Sequence, residues 1–139
     1  MSKFYIDIKT SFLIEDEEDA LEMTCPAQYF YAENEQRIEY DEYGDDESLV
    51  HTEITVWSEM VEIKRTGSIS MHLCLQMGRE WKHVYRAGGQ LFDITCVPIQ
   101  VDHNLGEHGG KMILQYTIEL GGIVIKNSLD IVVRKVWNK

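Results

Sequence analysis

No helix-length amphipathic run occurs in this sequence of 139 residues. Without a 3.6-residue period, helical bundles and sheets wound with crossover helices are excluded. No run approaches the roughly 18 apolar residues of a membrane-spanning helix. The N-terminus, Met1-Ser2-Lys3-Phe4-Tyr5-Ile6-Asp7, puts an acid where a signal peptide needs an unbroken apolar stretch. Basic residues are scarce, 13 Lys and Arg against 24 Asp and Glu, and the net charge is −11. That balance argues against nucleic acid, whose footprint is a basic stripe, and against an anionic membrane surface. The three cysteines, Cys25, Cys74 and Cys96, are an odd number and form no CxxC pair. Neither a disulfide framework nor a zinc pair fits, and free thiols in a reducing cytoplasm are expected. GxSxG, HExxH, P-loop and GxGxxG motifs are all missing, so no catalytic residue, metal or cofactor is assigned.

What is present is a strict alternation. Apolar residues make up 44% and aromatic residues 10%, enough for one core in one domain over residues 1–139. Phe4, Ile6, Ile8 and Phe12 alternate with Lys3, Tyr5, Asp7, Lys9 and Ser11. Val50, Thr52, Ile54 and Val56 repeat the pattern, as do Val61 and Ile63, then Ile69, Met71, Leu73 and Leu75. Such strands bury one face and wet the other, which marks an antiparallel sheet. Turn signals divide them at Asn34-Glu35, Gly44-Asp45-Asp46, Ser58-Glu59, Thr66-Gly67, Gly88-Gly89 and Gly109-Gly110. Pro98 falls inside an apolar strand pattern, so an edge or a bulge is expected there.

Gly121-Gly122 is the sharpest local signal, because glycine supplies the positive φ of a two-residue primed turn. Its register pairs residues whose numbers sum to 243, such as Leu120 with Ile123, Tyr116 with Asn127 and Met112 with Ile131. One face of that hairpin is apolar, with Tyr116 and Asn127 as its polar members. The whole chain reads as all-β, an antiparallel up-and-down β-barrel of about eight to ten strands. A barrel of that size is either just filled by side chains or holds one small ligand.

Arg65 continues the inner parity of Val61 and Ile63. A guanidinium inside a barrel needs a partner. It either clamps an anionic head group, since its fork suits carboxylate and phosphate, or closes the barrel floor. Tyr116, Asn127, Thr52 and Tyr40 are further inner-face polar groups. They either orient a ligand or satisfy one another around an internal water. The resulting expectation is a binding module for a small apolar or anionic ligand, lined by Arg65, Tyr116, Asn127, Thr52 and Tyr40. The alternative is a structural or protein-interaction barrel with a filled core, acting through an acidic face or surface aromatics.

Other clusters are weaker. Asp102-His103-Asn104-Leu105-Gly106-Glu107-His108 gathers two imidazoles and two carboxylates, but a polar surface loop accounts for it better than a metal site. Glu15-Asp16-Glu17-Glu18-Asp19 lacks the spacing and glycine of an EF-hand loop and reads as loop. His51, His72 and His83 are placed on outer parity or in loops. Trp57, Trp81, Tyr5, Tyr29 and Tyr31 read as outer-face or loop residues that cover gaps and edges. Trp81 beside Arg79, Lys82 and Arg86 would suit a head-to-tail contact with an acidic region of another copy. Monomer and homodimer both stay open.

Several segments together resemble the YwiB-like family of small bacterial proteins. They are Tyr29 to Tyr40, Thr52-Glu53-Ile54, Val61-Glu62-Ile63-Lys64-Arg65-Thr66-Gly67, Tyr85 followed by Gly89, and Leu114 to Leu129 with Asn127. The resemblance spans roughly residues 4–134. It implies a calycin-like, lipocalin-related β-barrel and a bacterial cytoplasmic protein, and it brings no activity.

The acidic charge is uneven. Residues 1–50 hold 15 acids and three bases, a charge of −12, while residues 51–139 hold nine acids and ten bases, a charge of +1. In a meander the strands of the first third are neighbours, so one wall of the barrel is expected to be acidic.

Overall fold

The computed structural model describes residues 2–43 and 48–137. Their alternating pattern folds as β1 (Ser2–Ile14), β2 (Glu17–Tyr31), β3 (Gln36–Tyr43), β4 (Leu49–Val56) and β5 (Val61–Gly67). The second half gives β6 (Ile69–Leu75), β7 (Trp81–Ala87), β8 (Gln90–His103), β9 (Gly109–Leu120) and β10 (Ile123–Trp137). Neighbours in sequence are neighbours in space, all antiparallel, and β1 pairs with β10 to close an up-and-down barrel. The architecture fits the calycin-like expectation. In the β9–β10 hairpin the pairs run from Ile123 with Leu120 to Arg134 with Gly109, the register that the Gly-Gly turn dictates.

Ladders are long at most joints and short at two. β2 meets β3 only through Gln28–Tyr31 against Gln36–Glu39. β6 meets β7 only through Ile69 with Ala87 and Ser70 with Arg86. The wall is therefore a six-stranded sheet, β7-β8-β9-β10-β1-β2, and a four-stranded sheet, β3-β4-β5-β6, tied at two short seams. Ile6, Ile38, Val56, Val61, Leu73, Leu75, Leu114 and Val133, each at most 2% exposed, fill the end near the chain termini. Burial of that kind contributes roughly 1.5–3 kcal/mol per large side chain. Toward the opposite end, where the β1–β2, β5–β6, β7–β8 and β9–β10 hairpins turn, the packing gives way to a cavity.

Local features depart from the sequence reading in instructive ways. The acidic run is not all loop: only Glu15 and Asp16 turn, both at positive φ (53° and 88°), and Glu17 begins β2. Gly109 and Gly110 lie in β9 and not in a turn. A side chain at Gly109 would overlap the Val133 carbonyl of β10, so the closeness of two backbones sets that residue. Pro98 lies at a bulge, where the β8–β9 register shifts between Pro98 and Gln100, and beyond Cys96, where β8 has no ladder to β7. The Gly44-Asp45-Asp46 turn lies outside the described residues.

The outer face carries charge along its height. Arg134 Nε donates to Asp7 at 2.8 Å, Lys9 lies 3.7 Å from Glu22, and Arg37 lies 3.6 Å from Glu53. His51 sits between Asp41 at 2.7 Å and Glu39 at 3.4 Å. Among the described residues no helix is long and apolar enough to cross a membrane. The acidic first third forms β1 to β3 and the start of β4, which are contiguous in the wall.

Two predictions follow from this geometry. A non-glycine residue held at left-handed φ is strained, and Asp16 sits where a primed turn favours glycine. Asp16→Gly should raise stability by about 0.5–1 kcal/mol in urea denaturation; a loss would show that the turn conformation is wrong. The Asp41 carboxylate holds His51 above its ordinary pKa of 6.5, with burial opposing it and Glu39 assisting. The stabilisation is complete below that ordinary value and fades as pH rises through the raised one. His51 is 43% exposed, so screening keeps the effect small. His51→Gln should cost about 0.5 kcal/mol more at pH 5.5 than at pH 8.5.

Candidate functional site

The upper half of the barrel encloses a cavity of about 480 Å³. That volume falls within the roughly 300–1,000 Å³ range of small-molecule sites. All five residues singled out by parity line it: Arg65, Tyr116, Asn127, Thr52 and Tyr40. The ladders explain why. Tyr40 pairs with Thr52, and Thr52 with Arg65, so β3, β4 and β5 present the three as one inward row. Tyr116 and Asn127 are opposite one another on β9 and β10. Arg65 thus faces the lumen and does not close the floor.

Three further polar residues line the cavity, Thr10, Tyr85 and Glu42. Glu42 stands two positions beyond Tyr40 on the same face of β3 and also lines the cavity. Arg65 Nη2 donates to both Glu42 carboxylate oxygens at 3.3 Å each. One nitrogen straddles two oxygens, and Arg65 Nε is buried with no hydrogen-bond partner. The Glu42 signal was present in the sequence, since the residue shares parity with Ile38 and Tyr40, but its place within the acidic stretch Glu33 to Glu47 masks it.

Depth separates these groups. Thr52 is 1% exposed, Tyr116 5% and Asn127 5%, whereas the Arg65 and Glu42 side chains are about one quarter exposed and nearer the mouth. Desolvation pushes the Tyr116 hydroxyl well above its ordinary pKa. Desolvation and the nearby Glu42 do the same for Tyr40, while Arg65 and Thr52 moderate it. Both phenols therefore stay protonated and able to donate. Thr52 Oγ1 is close enough to Tyr40 for that influence but completes no hydrogen bond of good geometry. Asn127 Nδ2 donates to the Ile125 carbonyl at 3.2 Å.

The remaining wall is apolar: Phe12, Leu21, Ile118, Leu120, Ile125 and Leu129. At the rim Leu21 is 62% exposed, Ile123 46% and Ile14 40%, although their parity is inward. Two opposed charges near the mouth almost cancel. At about 4 Å and an effective dielectric near 20, each unit charge acts with about 4 kcal/mol. An anion brought to Arg65 would meet Glu42 at similar range.

Three aromatic and histidine assignments need correction. Tyr29 is buried, not outer: it shares the inward parity of Cys25 and Ala27, and its hydroxyl donates to the Gly106 carbonyl at 2.7 Å. Burial pushes its pKa up to about 12. Trp81 and His83 lie on the half-buried side of β7, where Lys82, Val84 and Arg86 take the exposed side. Trp81 packs against the core and donates Nε1 to the His72 carbonyl at 3.2 Å, so it is no free interface anchor. Burial, with His72 adding to it, holds His83 below its ordinary pKa. Cys96 is fully buried and raised to about 12 by desolvation, which marks a core thiol. At the end of β8, His103 Nε2 faces the Trp57 carbonyl, and in the β8–β9 loop His108 faces Lys135. Among the described residues no three His, Cys, Asp or Glu side chains converge on a metal position.

Comparison with known proteins agrees with this architecture. No curated protein matches the chain. The crystal structure of YwiB from Bacillus subtilis superposes with a TM-score of 0.86 at 16% identity, covering 98% of this chain and 93% of that one. At that identity the likeness shows the fold alone. A structural-genomics protein of unknown function from Bacteroides ovatus (TM-score 0.34, 6% identity, 96% and 41% coverage) is only weakly similar. The same holds for Ail, the attachment invasion locus protein of Yersinia pestis (0.33, 9%, 97% and 97%). A family model described as a domain of unknown function, DUF1934, matches residues 6–131. Nearly the whole barrel falls within that match, and the chain belongs to the DUF1934 family.

Proposed function

We propose that this barrel is a binding module for one small, largely apolar ligand held in the upper half of its interior. The observation that carries the reading is the half-hollow core. One end is packed, while the other holds a cavity of about 480 Å³ lined by apolar residues and eight polar ones. Small-ligand sites have this composition, an apolar body with a few convergent polar groups. No reaction is proposed, because the lining offers no nucleophile paired with a base. The three unpaired cysteines support a reducing compartment, and the charged outer face supports a protein that does not sit in lipid.

A second reading, a protein-interaction barrel, draws on a different observation. Leu13, Leu91 and Val124 are more than 40% exposed near the hairpin tips, and Leu13 and Val124 stand beside the acidic β1–β2 turn. Exposed apolar residues rimmed by charge suit a protein partner.

Native mass spectrometry of the chain purified from its own host separates the two. The ligand reading expects a bound small molecule on the monomeric or dimeric mass. Ile118→Trp, which fills the cavity, should abolish that adduct while the far-ultraviolet spectrum is kept. Ligand-free protein that also fails to take up a neutral hydrophobic dye would sink the ligand reading.

A further inference from the structure

The cavity reading leaves the chemistry of the ligand open, and the pairing of Arg65 with Glu42 narrows it. Resting on that reading, we infer that the ligand is an uncharged amphiphile whose polar head both accepts and donates hydrogen bonds, such as a primary amide or an alcohol, and is not a carboxylate or an ammonium.

The polar groups beside the lumen differ in what they can donate and accept. Arg65 Nε can only donate, is buried, and has no partner. Thr52 Oγ1 is buried without a completed hydrogen bond. The Tyr116 hydroxyl keeps its proton. Thr52 and Arg65 are ladder partners on the inner face, so a ligand oxygen beside Arg65 would meet these two groups, with the Tyr116 hydroxyl deeper in the cavity. An unpartnered buried donor is costly, so that oxygen gains more here than on an open surface.

Glu42 then decides the charge. A carboxylate head would accept from Arg65 but would stand beside the Glu42 carboxylate that Arg65 already holds at 3.3 Å. An ammonium head would suit Glu42 and be opposed by Arg65. Either ion loses its hydration and meets one friend and one opponent, so the loss is not offset. A neutral head surrenders little hydration. Its acceptor meets Arg65 Nε and its donor meets a Glu42 oxygen. The acidic wall of β1 to β3 adds a further field against anions. The apolar side of the cavity, from Phe12 to Leu120 and Ile125, takes the chain of the molecule. An anionic ligand, as the lone Arg65 suggested in the sequence, is thereby set aside.

The test is a matched series on the full-length chain: octanamide, octanoate and octylamine, measured by isothermal titration calorimetry at pH 7. Octanamide should bind at least ten-fold tighter than either ion. In Glu42→Gln the guanidinium is released, and octanoate should gain at least ten-fold while octanamide changes less. Octanoate or octylamine binding best to the unmodified chain overturns the inference, and that ranking needs no variant to fold. An unchanged selectivity in a folded Glu42→Gln chain overturns it as well. The neutral dye N-phenyl-1-naphthylamine separates the levels. Uptake of the dye with no octyl compound bound defeats the ligand class alone. Failure of the dye and of all three compounds defeats the cavity reading and this inference with it.

Discussion

The structure depends on one ladder, the pairing of the first strand with the last. Ser2–Ile14 of β1 lies against Trp137–Ile125 of β10 along its full length. Until that ladder forms, the ten strands are an open meander with two exposed edges and no defined inside. Once formed, every strand has two neighbours, and period-two alternation assigns each residue to wall or lumen. Bringing the two chain ends together has an entropic cost that grows only slowly with loop length. It does, however, place the decisive contacts at the largest sequence separation available, a topology that folds slowly.

Closure also explains why the interior is uneven. The large aliphatic residues of β1, β3 to β6, β9 and β10 crowd the end near the termini. At the hairpin end the inward positions mix apolar residues such as Phe12, Ile118 and Ile125 with Tyr40, Glu42, Thr52, Arg65, Tyr116 and Asn127. The polar members cannot close on one another as aliphatic side chains do. They must meet at hydrogen-bond distance, and among the described residues Arg65 pairs with Glu42. The polar lining thus contributes to the hollow. The charge pair near the mouth keeps the interior close to neutral although the chain carries −11. Among the described residues of β1 to β3, the acids other than Glu42 stand outside that lining.

Much of this was legible in the sequence because parity is a strong rule. The Gly121-Gly122 turn gave the register of β9 and β10 by arithmetic, and Tyr116 and Asn127 were placed inside by it. The Val61, Ile63, Arg65 series put the guanidinium in the lumen. What failed was parity without an anchor. Tyr29 belongs to a strand opened by three acids, where no apolar alternation announces the face. Trp81 and His83 begin a strand whose inward side is only half-buried, because β7 hardly pairs with β6. Glu42 was concealed by its acidic neighbours, although two residues earlier Tyr40 was read correctly. The unequal filling of the barrel was not legible at all. It depends on how far side chains from opposite walls reach, and pairwise register does not contain that distance.

The two short seams have a mechanical meaning. The unladdered stretches lie at opposite ends. Glu17–Ala27 of β2 has no ladder to β3 at the hairpin end, whereas Met71–Leu75 of β6 has none to β7 at the end near the termini. Beside the mouth, Ile69 and Ser70 still pair with Ala87 and Arg86. Parting β2 from β3 near the mouth breaks no backbone hydrogen bond between those two strands. In a barrel laddered all round, the same widening would cost several such bonds at about 1 kcal/mol each. The cavity is therefore compliant on its β2–β3 side, and a bulky guest can be admitted there without unfolding any strand.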